Sequence, residues 1–220
     1  MNGGKIIRKF LLTVFALVLI FAVDIDASSM PLSGKVILID SGHGEWDPGK
    51  VGESKTLEKD INLSIAKKLQ AYLELADAYV LMTRVEDKAL GSNKDADMAG
   101  RKQIANTSSA DVLISIHQNS FELGSAKGPQ VFHHNESEPS KKLANTIQIE
   151  MNNMLERSPN RKAKINPTYF ILRTTTMPAV IVECGFLTNS WDRDSLRQEA
   201  YQEKVAWAIY KGIINYFSEE

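Results

Sequence analysis

Four apolar residues in a row, Val36-Ile37-Leu38-Ile39, stopped by Asp40-Ser41-Gly42, begin a long alternation of strand-like and helix-like segments. A run this short and rich in β-branched residues fits a strand buried on both faces. The loop after it holds Gly42, Gly44, Pro48, Gly49 and Gly52, too many breakers for regular structure. Over residues 57–75 the apolar positions Leu57, Ile61, Ile65, Leu69 and Leu73 recur at four-residue steps, with Ala66 and Tyr72 widening the stripe. That spacing predicts an amphipathic helix, and Glu58 and Asp60 in its first turn suit the positive end of its dipole.

The same reading predicts strands over residues 79–83, 112–116, 130–132, 169–172 and 179–182. It predicts helices around 98–106, from a Ser140 cap to about residue 155, and from about 200 to 217. Residues 88–97 and 157–166 are the expected mobile loops. With no repeat and no long linker, the alternation predicts one α/β domain, a largely parallel sheet with helices on both faces.

The first residues break this pattern. Lys5, Arg8 and Lys9 form a positive flank before residues 10–23, which are apolar apart from Thr13. An apolar stretch of about 14 residues suits a signal-peptide core better than a membrane span of about 20. Ala27-Ser28-Ser29 offers small residues for cleavage, whereas Ile25 at the third position before the cut fits poorly. Residues 1–30 are therefore expected to be a signal peptide or an N-terminal membrane anchor, with the folded part, residues 35–220, outside the cytoplasmic membrane.

Composition narrows the classes. The chain has 220 residues, 43% apolar and 24% charged, with a formal net charge of −1. Without a strong basic field there is nothing to gather nucleic acid by counterion release. The membrane is expected to matter only through the N-terminal segment. The single Cys184 rules out an internal disulfide.

Four ionisable residues stand where α/β sheets collect ligands, just beyond strand carboxyl ends. His43, His117 and Glu183 follow or close predicted strands, and Glu58 opens the first helix. Two imidazoles and a carboxylate, with a position left for water, match a catalytic zinc site of the two-histidine, one-glutamate kind. The remaining Glu183 then suits a general base, and a carboxylate after four apolar strand residues risks burial without a partner. Asp40, Glu45 and Asp47 are rival carboxylate ligands near His43. His133 and His134 are adjacent on a strand and point to opposite faces, which disfavours a shared metal. Cys184 paired with His117 would make a thiol nucleophile, but no helix start lies next to it to lower its pKa.

These residues also carry a family likeness. Val36-Ile-Leu-Ile-Asp-Ser-Gly-His-Gly, Glu58-Lys-Asp-Ile-Asn-Leu, Leu81-Met-Thr-Arg84, Arg101 with Asn106, Ile114-Ser-Ile-His-Gln-Asn119 and Val182-Glu-Cys-Gly-Phe-Leu-Thr-Asn189 occur in that order. Together they resemble the zinc-dependent N-acetylmuramoyl-L-alanine amidases of the type 3 family, from residue 35 to the C-terminus. The resemblance implies a single α/β domain with a mixed sheet of about six strands. It implies Zn2+ held by His43, Glu58 and His117, and Glu183 as the catalytic residue. Arg84, Arg101 and Asn119 fall on positions expected to be structural or substrate-positioning. The implied reaction is hydrolysis of the amide between N-acetylmuramic acid and L-alanine in peptidoglycan. A non-catalytic peptidoglycan-binding module or a zinc carboxypeptidase on stem peptides are the other readings.

One position departs from the family pattern. Ser41 stands where the family has proline, and losing that fixed φ is expected to loosen the loop that presents His43 and to weaken metal binding, with an accessory protein as the compensating partner. The finer likeness, in Gly128-Pro-Gln-Val-Phe132, Asn160-Arg-Lys-Ala-Lys-Ile-Asn166 and the last helix, is to the germination-associated amidases of spore-forming Firmicutes. It implies a cortex substrate, a muramic acid deacetylase that completes muramic-δ-lactam, and a place between forespore and mother cell. No long insertion separates His117 from the helix at Ser140, so any regulation is expected to come from outside.

Overall fold

The computed structural model describes residues 30–122, 124–134, 137–156 and 158–218; the leader expected over residues 1–30 lies outside these apart from Met30. Six strands form one sheet: β1 (Val36–Ser41), β2 (Tyr79–Met82), β3 (Val112–Asn119), β4 (Gln130–His133), β5 (Lys164–Ile165) and β6 (Ala179–Phe186). Their order is β2-β1-β3-β6-β4-β5. β1 is parallel to β2 and β3, and β3 to β6, while β4 runs antiparallel to β6 and carries β5 parallel to itself. The sheet is mixed and mostly parallel, as expected. Buried on both faces, β1, β3 and β6 read as nearly continuous apolar runs.

The helices are α1 (Glu58–Leu75), α2 (Lys94–Thr107), α3 (Glu138–Met154), α4 (Phe170–Thr174), α5 (Ser190–Leu196) and α6 (Glu199–Ser218). One face of the sheet, with Ile37, Ile39, Ile114, Ile116, Val180 and Val182, packs under α1, α3 and α6 in the main core. The other face, with Leu38, Leu113, Ala179 and Ile181, makes a smaller core with Ala105 of α2 and Ile171 of α4. Alternation along each strand thus splits the sheet into a fully covered face and a partly covered one. The partly covered face carries the chemistry.

Three expectations change. Residues 169–172 are not a strand: α4 begins at Phe170, with Tyr169 as its N-cap. A four-residue apolar run carries no period that separates strand from helix. The sheet also has no slot for it beside β6, which is paired on both sides by β3 and β4. Ser137, not Ser140, caps α3, its side chain accepting from the Ser140 amide at 3.2 Å. The Ser140 hydroxyl instead accepts from the Ala179 amide and ties the helix to β6. The segment 88–97 is held rather than loose: the Leu90 amide donates to Asp97 Oδ1 at 2.7 Å, and residues from Lys94 onward are already α2.

Candidate active site

β1, β3 and β6 are parallel, so their carboxyl ends share one rim. Direct register pairs His117 of β3 with Glu183 of β6, and Asp40 of β1 with Ser115 of β3. Side chains at these positions share the less-covered face, with Leu113 and Ile181 two residues further in. The chain leaves β1 through Gly42 and enters the left-handed region at His43 (φ 62°). A side chain at position 42 would collide with the His117 ring, its Cβ falling 2.2 Å from Cε1. Gly42 therefore lets the two imidazoles approach, their centroids 5.0 Å apart and nearly perpendicular.

A strained, non-glycine turn persists only where its surroundings hold it. Here two buried arginines do so. Arg84 donates from Nε to the Ser41 carbonyl, from Nη2 to those of Gly42 and Lys59, and from Nη1 to Glu86 O. Arg101 donates from Nη1 to Asp40 Oδ1 and Ser41 O, from Nη2 to His43 O, and from Nε to Asp97 Oδ2. Each guanidinium thus commits four of its five N–H groups to the loop and its supports. Burial raises the Asp40 carboxyl, but Arg101, with the Ser115 hydrogen bond and His117, overcomes this and holds it down at about 2. Ser41, fully buried, donates its amide to Thr83 Oγ1 at 3.3 Å, a bond that proline could not make.

The donor atoms of His43, Glu58 and His117 all lie within 4.8 Å of one another. Glu58, 4% exposed, points its Oε1 at His43 Nε2 (3.2 Å) and His117 Nδ1 (2.9 Å). Backbone amides fix the carboxylate: Gln118 N donates to Oε1 at 3.0 Å and Lys50 N to Oε2 at 2.7 Å. The other nitrogen of His43, Nδ1, meets Asp47 Oδ2 at 2.7 Å, which leaves Nε2 to face the cluster. Burial raises the Glu58 pKa but the two imidazoles overcome this and hold it far below the ordinary carboxylate range. Burial pulls His43 down, yet the Glu58 and Asp47 carboxylates win and push it up to about 9.

The rival ligands are engaged elsewhere. Asp40 is paired with Arg101 and accepts from Ser115 Oγ. Glu45 Oε2 accepts from the Ala89 amide. Asp47 acts on the far nitrogen of His43 instead. His133 is buried with its Nδ1 against His134 O, apart from the cluster. Cys184 is fully buried, and desolvation drives its thiol pKa far up, which sets the thiol-nucleophile reading aside.

Residues 37–215 match the family model described as N-acetylmuramoyl-L-alanine amidase. The chain belongs to that family. The germination-specific N-acetylmuramoyl-L-alanine amidase of Bacillus subtilis is 38% identical over 200 residues, which cover 87% of this chain and 84% of the relative. The CwlD amidase from Clostridioides difficile, solved in complex with the GerS lipoprotein, superposes with a TM-score of 0.82 at 37% identity, over 84% of this chain and 100% of that one. An N-acetylmuramoyl-L-alanine amidase from Clostridium difficile 630 superposes with a TM-score of 0.76 at 34% identity, over 84% and 98% of the two chains. This protein is accordingly an enzyme, an amidase of peptidoglycan.

The amidase cavity, about 830 Å³, is lined by the cluster, by Glu183 and Asn119, by Lys94 of α2 and by Tyr169 before α4. Glu183 is 7% exposed, and burial pushes its carboxyl up to about 7, with Glu58 adding to the rise and His117, His43 and the Tyr169 hydroxyl opposing it. Its Oε2 makes no hydrogen bond. Asn119 lies at an irregularity in the β3–β6 register, its Oδ1 accepting from the Ser120 amide. Residue type and spacing offer Asp47 only as a rival ligand and place Tyr169 only in an expected strand. Asp47 carries a weak signal, a carboxylate four residues from a ligand candidate; Tyr169 carries none.

Proposed function

We propose that this amidase is zinc-dependent, that His43, Glu58 and His117 hold the metal, and that Glu183 is the general base. The observation that carries the reading is the convergence of those three donor sets within 4.8 Å on the rim where Glu183 stands in register with His117. The donors fit zinc: two imidazole nitrogens and a carboxylate oxygen, with outer atoms already held by Asp47 and by backbone amides. Bound zinc supplies a water acidified toward neutrality and an electrophile for the scissile carbonyl.

Glu183, its carboxyl raised by burial to about 7 and so able to gain and lose a proton near neutrality, takes as carboxylate a proton from the attacking water. The water oxygen bonds to the lactyl carbonyl carbon, the C–N bond breaks, and Glu183 returns the proton to the L-alanine nitrogen. Arg84 and Arg101 serve as positioning residues that fix the His43 loop rather than as substrate contacts, because four of the five N–H groups of each are committed to the loop carbonyls and their supports. Asn119 remains the candidate for substrate positioning, since it lines the cavity.

The finer assignment is to cortex peptidoglycan, upstream of a muramic acid deacetylase and on the way to muramic-δ-lactam. The 38% identity to a germination-specific relative supports it. In this reading the N-terminal segment exports the protein, as a signal peptide or an anchor, to the space between forespore and mother cell; among the described residues no helix is long and apolar enough to cross a membrane. The complex of the Clostridioides difficile relative with a lipoprotein supports an accessory protein here, one that aids metal binding at a loop where Ser41 replaces proline. Tight zinc binding by the amidase alone would remove that need.

The deciding experiment digests purified cortex peptidoglycan with the protein, with and without zinc, beside a Glu183→Ala control. Peptides beginning with L-alanine, dependent on zinc and absent from the control, are the expected products. Release of single C-terminal residues would mark a carboxypeptidase instead, and no release from a zinc-loaded sample would mark a binding module.

A further inference from the structure

Glu183 is a buried carboxylate with one oxygen unpartnered, and a base must point a lone pair at its water. Something has to set the torsion of that side chain. On β6, Ile181 and Glu183 face the same side of the sheet, and antiparallel register puts Phe132 of β4 directly opposite Ile181. The Tyr169 ring meets Phe132 edge-on, centroids 5.5 Å apart at 86°. Tyr169 therefore stands over the sheet face that carries Glu183, and both line the one cavity.

Its backbone is equally fixed. Asn166 Oδ1 accepts from the Tyr169 amide (3.1 Å), the Thr168 amide (2.9 Å) and the Thr168 hydroxyl (2.8 Å). The Asn166 amide in turn donates to His133 O at the end of β4, so the turn is tied to the sheet. A ring wedged on Phe132 above a turn gathered by one side chain is a rigid mount for a hydroxyl.

We infer that Tyr169 is a positioning residue for the base: its hydroxyl donates to the Glu183 carboxylate and holds it turned toward the attacking water. The inference rests on Glu183 being the base. The Tyr169 hydroxyl stays a neutral donor throughout, its pKa pushed up to about 12 by burial and by the nearby Glu183 and Glu58 carboxylates. Its hydrogen bond also works against the burial that raises Glu183. A phenylalanine here would keep the ring contact with Phe132 and lose only the donor.

The test is a double-mutant cycle on the full, zinc-loaded chain with Tyr169→Phe, Glu183→Gln and both together, reading kcat, KM, zinc content and unfolding midpoint. Tyr169→Phe is expected to lower kcat by about 10- to 100-fold, the range typical of lost outer-shell orienting bonds, with KM, zinc content and midpoint unchanged. In the Glu183→Gln background the same change is expected to add less than about twofold, because the group it orients is gone. A parental kcat in Tyr169→Phe, a loss confined to KM, or an undiminished loss in the Glu183→Gln background each overturns the inference. Parental activity in Glu183→Gln alone would show that the assignment of the base has failed, a separate result from failure of Tyr169.

Discussion

Glu58 faces two imidazoles with Oε1 and is anchored by a backbone amide on each oxygen, so its orientation does not depend on a bound ion. Glu58→Gln puts an amide nitrogen where one of those N–H donors already points, leaving a buried donor unmatched at a cost of about 1–3 kcal/mol. We expect zinc affinity to fall by about 100-fold or more, since a charged ligand is lost where even outer-shell changes cost 10- to 100-fold; competition with a chromophoric chelator reads it. Asp47→Ala should leave the ligand set intact yet weaken zinc by about 10- to 100-fold, because His43 loses the partner that directs Nε2 inward. Unchanged affinity in Asp47→Ala would mean that the loop alone orients the ring. His43, Glu58, His117 and Glu183 were legible in the sequence because each interrupts or borders an apolar segment at a strand end or helix start. Asp47 was legible only as a carboxylate near His43. Nothing in residue type or spacing tells which imidazole nitrogen it will meet, and that choice is made by the positive φ at His43.

That turn is held at the level of elements, where β1, β2 and α2 meet. Arg101 of α2 reaches Asp40 and the carbonyls of Ser41 and His43, and Arg84 after β2 reaches those of Ser41 and Gly42. Arg101→Met leaves Asp40 buried without its countercharge, and breaking a buried pair in this way costs about 3–5 kcal/mol. The pH dependence has a definite sign. Asp40 is depressed to about 2 in the fold, so the stability it contributes is present above its ordinary value near 3.8 and is lost as pH falls toward 2. With Arg101 gone, burial raises Asp40, and the unfolded state is common to both proteins, so the gap between parent and Arg101→Met in urea unfolding should shrink as pH falls from that raised value toward 2. A gap that stays constant down to pH 3 would mean that the arginine acts through packing alone. The strands β1, β3 and β6 were readable because β-branched residues fill their short apolar runs, and the helices α1 and α6 because their four-residue steps persist long enough to fix a period. The apolar run at 169–172 was too short for that. Its helical turn is dictated by the Asn166 side chain and by a sheet already closed on both sides of β6, neither visible as periodicity.

Across residues 31–220, one compact unit, the two sheet faces are unequal: three long helices seal one, while α2 and the short α4 leave the rim of the other open as the cavity. The cluster at that rim is internally hydrogen-bonded, so chelation should abolish activity yet leave a folded protein. At the proposed site zinc would bind only the native arrangement, so free zinc at 100 times Kd should add about 2.7 kcal/mol. For a domain of this size that is a rise of roughly 5–10 °C in the unfolding midpoint. The rise should itself depend on pH. In the metal-free protein His43 is raised to about 9 by Glu58 and Asp47 against its burial. The stability from that protonated ring is complete below its unfolded value of 6.5 and is lost as pH climbs through 9. Zinc needs the neutral ring, so binding expels a proton and grows easier over the same interval. The two are one linkage seen from either side, and the zinc-induced shift should increase steadily from pH 6.5 to 8.5 in melting curves at fixed free zinc. A shift that is flat or falls across that interval would mean that the metal enters without displacing the His43 proton, and that ligation by His43 is not what stabilises the loaded enzyme.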